Sequence, residues 1–255
     1  MLVDTWLIFR REIVLRFRDP MWVAIDIAHP LLYVFLFGPL MKQFVLHTPG
    51  FPPGSMWMIF TPALLMQVAI TAGSFVGMSL LADYRAGVVE RFRVTPSSAV
   101  SQLLGKVLAV AMNVLLLAVI VFLAVIGIFG TRPSVVGAVV CFGIVFLFAI
   151  AIASSSYSVA LRLKNERTVS TLINAVMLPL LLLSGTLVPI TEVLAPGWLY
   201  SLSRLNPVSY GMDAARAAFR GDLSVESIGP GVAVLAALCV LTLWWGVRSF
   251  SKEDA

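Results

Sequence analysis

Six apolar runs, each long enough to cross a bilayer, occupy most of this 255-residue chain and leave only short connections between them. A hydrocarbon core of about 30 Å takes about 20 helical residues at a rise of about 1.5 Å each. The pattern places spans at residues 21–41, 57–81, 103–129, 135–160, 169–188 and 228–247. Backbone groups in hydrocarbon must bond within the chain, and ten-residue alternating strands are absent, so the spans are read as helices. With 60% hydrophobic and 12% charged residues, the chain lacks the polar side chains that would cover a soluble domain of this length. The expected class is an all-α integral membrane protein with six transmembrane helices, forming a single membrane domain over residues 1–255.

Orientation follows from the basic residues, which are retained on the cytoplasmic side when they lie close to span ends. Thirteen of the 18 fall on one side of this topology, from Arg10, Arg11 and Arg16 through Arg85, Lys106 and Arg162 to Arg248. Lys42, Arg132, Arg204, Arg216 and Arg220 make up the other side. Both termini and the connections around residues 83–98 and 162–167 are therefore expected in the cytoplasm, in a plasma-membrane protein. Three of the five exceptions lie between the fifth and sixth spans, which points to a structured outer segment. The net charge of +5 reflects topology and attraction to anionic lipid, and gives no support to nucleic-acid binding. A long charged stretch precedes the first apolar run without a small-residue cleavage site, so no cleavable signal peptide is expected. Cys141 and Cys239 lie inside apolar runs and read as packing residues.

Three segments outside the spans have patterns of their own. Residues 2–19 mix Trp6, Leu7, Phe9, Ile13, Val14 and Phe17 with arginines at helical spacing, as in a helix lying in the headgroup plane before Pro20. Residues 83–98 carry the densest charge, with Val88, Val89 and Phe92 forming one apolar edge and Pro96 ending the helical pattern. A solvated surface helix and a docking surface for a cytosolic partner both fit this stretch. Residues 191–228 are too polar for a span yet rich in Trp, Tyr and Ala. Breaks at Pro196–Gly197 and Asn206–Pro207 predict two short helices that dip into the outer leaflet and return.

No glycine-rich phosphate loop is present: Gly105–Lys106 is followed by Val107 and lacks the upstream glycine. His29 and His47 have no companion ligands at zinc spacing, so neither a metal nor a cofactor is expected on this chain. Asp26 and His29 share one face of the first span. An ionisable residue at that depth is either a proton-relay element or, being about two turns beyond Arg18, one that reaches headgroups or pairs with an interfacial arginine. Gln67, Thr71 and Ser74 recur at helical spacing, and Asn113, Asn174 and Thr186 are isolated polar groups. Such residues either bond neighbouring helices or line a path, with Gln67, Thr71 and Asn174 the first choices for lining.

Three stretches together resemble the ABC-2 type permeases, the membrane subunits of ATP-binding-cassette exporters, and most of all the daunorubicin-resistance type. They are RDPMWVAIDIAHPLLYVFLFG at the first span, GVVERFRVTP in the first cytoplasmic connection and LNPVSYGMDAAR before the last span. The resemblance implies a coupling helix seated in an ATPase cleft, carried here by Asp83, Arg85, Gly87, Val89, Glu90, Arg91, Phe92 and Pro96. It also implies re-entrant outer helices at Asn206, Pro207 and Asp213, and a connecting helix at the N-terminus. ATP and Mg would sit on a separate ATPase, and a second permease copy or a related permease would complete the path. The implied cargo is a hydrophobic drug or lipid-like molecule, with a lipid-linked glycan or glycolipid as the alternative. From other classes, an ion-coupled secondary transporter using Asp26 would call for inverted repeats, and none is evident. An integral membrane enzyme would need more converging acids or histidines than Asp26, His29, Asp83 and Glu90 offer.

Overall fold

Small polar residues open four of the helices. Ser98, Ser134, Asn165 and Asn206 each lie in extended conformation just before a helix, and each side chain accepts from a backbone N–H two or three residues on. Each thereby satisfies one of the donors that a first turn leaves without a partner. Pro207 occupies the first position of its helix, where its missing N–H costs nothing. At the other ends, Gly130, Lys164 and Gly221 close their helices in the left-handed conformation.

The computed structural model describes residues 2–39, 56–85, 87, 98–131, 133–186 and 188–251. Within them the chain runs α1 (Leu2–Phe17), α2 (Pro20–Leu32, continued by a π turn at Tyr33–Phe37), α3 (Met56–Ser74), α4 (Val76–Arg85) and α5 (Ala99–Phe129). It continues with α6 (Val135–Leu163), α7 (Glu166–Leu183), α8 (Gly197–Ser203), α9 (Pro207–Arg220) and α10 (Val225–Ser251). Five helices are long and apolar enough to cross a membrane: α3 with α4, then α5, α6, α7 and α10. The apolar part of α2, Val23–Leu36, is shorter, and the rest of the span expected at 21–41 runs outside the described residues.

Helix α6 is the hub. It packs against α3, α4, α5, α7, α9 and α10, and Cys141, Val145, Phe148, Ala149 and Ala153 along it are fully enclosed. On α5, Leu103, Val107, Ala111, Val114, Ala118, Val121 and Val125 form one buried stripe at helical spacing. Leu116, Val119 and Leu123 leave the opposite face apolar and exposed. Apolar outer faces of this kind on α5, α6, α7 and α10 are stable against lipid rather than water. The chain is a multi-pass membrane protein.

The span expected at 57–81 is present over Met56–Arg85, with a break at Phe75 between α3 and α4. Ser156 of α6 bridges the break: its hydroxyl accepts from Gly77 N at 2.9 Å and donates to the Ser74 carbonyl, while Met78 N bonds Phe75 O. Polar groups released by the break are thus re-satisfied from the neighbouring helix, as a site inside hydrocarbon demands. The approach is close enough that a Cβ on Gly77 would lie 2.4 Å from the Ser156 carbonyl oxygen and 2.9 Å from Ala160 Cβ. Gly105 plays the same part on α5, where a Cβ would meet Ile8 of α1 at 2.8 Å.

Overpacking against a backbone carbonyl costs about 1–3 kcal/mol. Gly77→Ala is therefore expected to lower the thermal unfolding midpoint of the purified protein clearly. Gly143→Ala, with open space around its Cα, should leave it unchanged or slightly raised, and equal effects from the two would refute the close-packing account.

Candidate functional site

The ends of α1, α4, α5, α6, α7 and α10 that carry the basic residues come together. Lys106 on the second turn of α5 is 4% exposed, and its ammonium donates to Glu12 Oε1 of α1 at 2.9 Å and to Asp83 Oδ2 of α4 at 2.7 Å. Arg11 approaches the other Asp83 oxygen at 3.6 Å and donates to Glu12 at 2.9 Å. Two residues along α4, Arg85 reaches Glu166 at the start of α7 at 2.9 Å. Lys164 lies over the Tyr84 ring, and Arg162 over Trp245 of α10.

Two of the residues singled out for coupling, Asp83 and Arg85, therefore form the stem of the segment expected to dock an ATPase. Gly87 follows in the left-handed conformation at φ +68°. Val89, Glu90, Arg91, Phe92 and Pro96 lie outside the described residues. The two stem contacts differ in character. Removing one partner of a buried pair strands a charge and costs about 3–5 kcal/mol. An exposed pair such as Arg85–Glu166, with side chains 66% and 34% exposed, contributes about 0–1 kcal/mol.

Beside this cluster, the elbow between α1 and α2 faces the break after α3 across a cavity of about 680 Å³ lined by Arg16, Asp19, Asp26, Thr71 and Phe75. Arg16 donates to Asp26 Oδ2 at 2.5 Å, so the acid at membrane depth is paired with an arginine of the preceding helix. A second cavity of about 310 Å³ adjoins, where Asp26, His29 and Thr71 meet Val68 and Leu117. Gln67 joins Thr71 and His29 around a narrow crevice between α2 and α3. Asn174 stands apart. It lies on the exposed side of α7, donates to the Ser170 carbonyl at 2.8 Å, and shares that side with Arg167 and Thr171 at helical spacing.

The far end of the bundle is held by the segment before α10. Its two helices, α8 and α9, meet at Asn206, whose side chain caps α9 through Val208 N and donates to Leu180 O of α7 at 2.9 Å. Ser209 donates to Leu183 O, a carbonyl that the end of α7 would leave bare, while Leu180 O also accepts from Ser184 N. Asp213 is exposed and accepts from Arg204, which lies over the rings of Tyr200 and Tyr210. Arg216 is 4% exposed and donates to Ile59 O of α3 and to Gly185 O after α7. Burial pushes its pKa down to about 10, and it stays charged at neutral pH.

Composition and spacing gave no warning of the roles of Lys106, Ser156 or Arg216. Arg216 enters the sequence reading only as a topology marker, Lys106 as that and as part of a failed phosphate-loop match, and their partners are distant in the chain. The only local hint for Ser156 is its place in the run Ser154–Ser155–Ser156, which falls late in an otherwise apolar helix.

The geometry defines a helical membrane bundle with a buried charge cluster at one end and a capped helical segment at the other. The chain belongs to the ABC-2 type transporter family, whose sequence model matches residues 3–219. It is similar to the daunorubicin resistance ABC transporter permease protein DrrB1 of Streptomyces coeruleorubidus, at 25% identity over 77% of this chain and 69% of that one. A doxorubicin resistance ABC transporter permease, DrrC of Mycobacterium tuberculosis, is 27% identical over 75% of this chain and 70% of that one. A chain named as a transport permease, ycf38 of Cyanophora paradoxa, is 28% identical over 78% and 68%.

The contrast between the stem contacts is measurable. Lys106→Met, which leaves Glu12 and Asp83 with Arg11 as their cation, is expected to destabilise the protein more than Arg85→Gln, which should cost less than about 1 kcal/mol, as compared by denaturation of the purified variants. Similar losses from both would show that the Lys106 cluster is solvated.

Proposed function

We propose that this chain is the membrane-spanning subunit of an ATP-driven exporter that moves a hydrophobic drug or lipid-like molecule out of the cytoplasm or inner leaflet. The drug-resistance names of two relatives support that class of cargo. The observation that carries the reading is the exposed polar face of α7. Only Val169 and Ile173 of that helix are buried; Arg167 stands at its cytoplasmic end, and Thr171 and Asn174 face outward among exposed Leu172, Val176 and Leu178 in a segment apolar enough to span. Thr171 and Asn174 bond carbonyls of their own helix, and polar side chains within an apolar span commonly face a neighbouring helix or a water-filled path. A second copy of this chain, or a related permease, placed against α7 supplies both.

In this reading α2 completes a sixth span and α1 lies in the cytoplasmic headgroup plane. Its exposed Trp6, Leu7, Val14 and Phe17 meet acyl chains there, as an interfacial helix requires. Both termini and the Lys106 cluster face the cytoplasm of a plasma-membrane protein, and α8 and α9 form the re-entrant outer segment with Asn206, Pro207 and Asp213. The whole chain, residues 1–255, acts as one ABC-2 type transmembrane domain.

The power comes from elsewhere. A separate ATPase binds ATP and Mg and seats residues 88–97 in a cleft, with Glu90 and Arg91 pairing charges and Val89 and Phe92 buried. Nucleotide binding closes the ATPase dimer, and its different affinity for the two permease arrangements biases the bundle between them. Gln67, Thr71 and Asn174 are the polar groups proposed along the path. No bond is made or broken by the permease itself.

The test is co-purification followed by daunorubicin uptake into inverted vesicles. An ATPase is expected to accompany the chain, and Phe92→Ala or Glu90→Ala should weaken its association by about tenfold or more, the equivalent of about 1.4 kcal/mol. Transport of the probe by the chain alone, driven by a proton gradient, would contradict the reading. Export of a lipid-linked glycan in place of the probe would keep the mechanism and replace the cargo.

A further inference from the structure

We propose that the elbow between α1 and α2 holds one phospholipid with a primary-amine headgroup, its phosphate on Arg16, its ammonium on Asp26 and its chains against the break after α3. The site goes beyond the transport reading, which serves only to place the lipid in the inner leaflet.

The space suits a molecule with two unlike ends. The cavity of about 680 Å³ at the elbow falls within the range of about 300–1,000 Å³ found for small-molecule sites. Arg16, Asp19 and Asp26 line its elbow side, and Ala72, Phe75, Val76 and Met78 face them from around the break. A cavity of about 370 Å³ shares Leu15, Val76 and Ser79 with it, and the one of about 310 Å³ shares Asp26, Ala72 and Phe75. The three form one furrow. In a bilayer, water alone would leave the apolar wall wetted, and an acyl chain alone would desolvate the charged wall. An amphiphile satisfies both walls.

The ion pair keeps hydrogen-bonding capacity for a headgroup. Arg16 donates to Asp26 Oδ2 through Nη2, and among the described residues neither its Nε and Nη1 nor Asp26 Oδ1 has a hydrogen-bond partner. Both side chains are 29% exposed. The remaining guanidinium donors suit a phosphate, and the remaining carboxylate oxygen suits a primary ammonium. An ethylene bridge separates the two headgroup charges, and Arg16 touches Asp26, so the four charges alternate in sign. Asp19, which accepts from Met21 N, adds a second carboxylate beside them. A purely anionic headgroup would meet two like charges there. A choline headgroup has no N–H to donate and is held instead by aromatic cages, whereas Phe75 is the one aromatic ring among the described residues lining this cavity.

The experiment strips the purified protein, with any ATPase that accompanies it, of lipid in detergent. An equimolar mixture of phosphatidylethanolamine, phosphatidylcholine and phosphatidylglycerol with the same chains is then offered, and native mass spectrometry reads what is bound. One phosphatidylethanolamine per chain is expected, held about tenfold or more tightly than either competitor, the equivalent of about 1.4 kcal/mol. Glycerophosphoethanolamine, the headgroup without chains, should not displace it, and displacement would refute the role of the apolar wall. Equal retention of the three lipids would mean annular lipid only and would overturn the proposal. A second copy of the chain filling the cavity, with no lipid retained, would do the same.

Two variants locate the site. Asp26→Asn should abolish the preference over phosphatidylglycerol, and an unchanged preference would place the lipid elsewhere. Because that change unpairs Arg16 and risks misfolding, Ser79→Trp fills the furrow while leaving the pair intact. Ser79 is exposed, borders the two larger cavities and donates to Val76 O of its own helix. Ser79→Trp should exclude the lipid, whereas Leu123→Trp on the exposed outer face of α5 should retain it. Equal retention by both would overturn the proposal. Retention is read without nucleotide or cargo, so its failure and the failure of the transport reading are separate results.

Discussion

An ammonium group shut away from water with a carboxylate on either side fixes the charged end of this protein. Lys106 is joined to α1 by Glu12 and to α4 by Asp83, and Arg11 pairs with both carboxylates as a second cation. The contact ties the amphipathic first helix to α4 and α5. At the opposite end Arg216 does similar work with neutral partners, tying α9 to α3 and to the turn after α7. Between these two anchors the helices are held by apolar contact and by small residues that allow close approach.

Much of this architecture was legible in the chain because membranes simplify the physics. Length and apolarity alone located α5, α6, α7 and α10, since a helix is the way an isolated segment satisfies its backbone in hydrocarbon. The breaks at Pro196 and at Asn206–Pro207 were legible because proline and asparagine act on their own neighbours. The break at Phe75 was not. Gly73, Ser74 and Gly77 lie in a run that reads as helix, and what fixes the break is a serine about eighty positions away in sequence.

The candidate site divides along the same line. Asp26 invited a choice between relay and pairing, and a pairing with Arg16 is what the fold provides. Gln67 and Thr71 come together with Asp26 and His29 because all four lie on the facing sides of α2 and α3. Asn174 shares their chemistry but not their place, since periodicity gives the face of a helix and not its neighbour. Lys106 looked like one basic residue among thirteen near the cytoplasmic span ends, and only tertiary contact separates it from the rest.

The central claim is that the end holding Lys106 is the end a cytosolic ATPase grips. It is tested most directly by labelling Arg93→Cys, in a background with Cys141 and Cys239 replaced, in sealed vesicles of known orientation. A membrane-impermeant thiol reagent should reach this position only from the cytoplasmic side, and bound ATPase should protect it. Labelling from the outer side, or labelling that the ATPase leaves unchanged, would contradict the account.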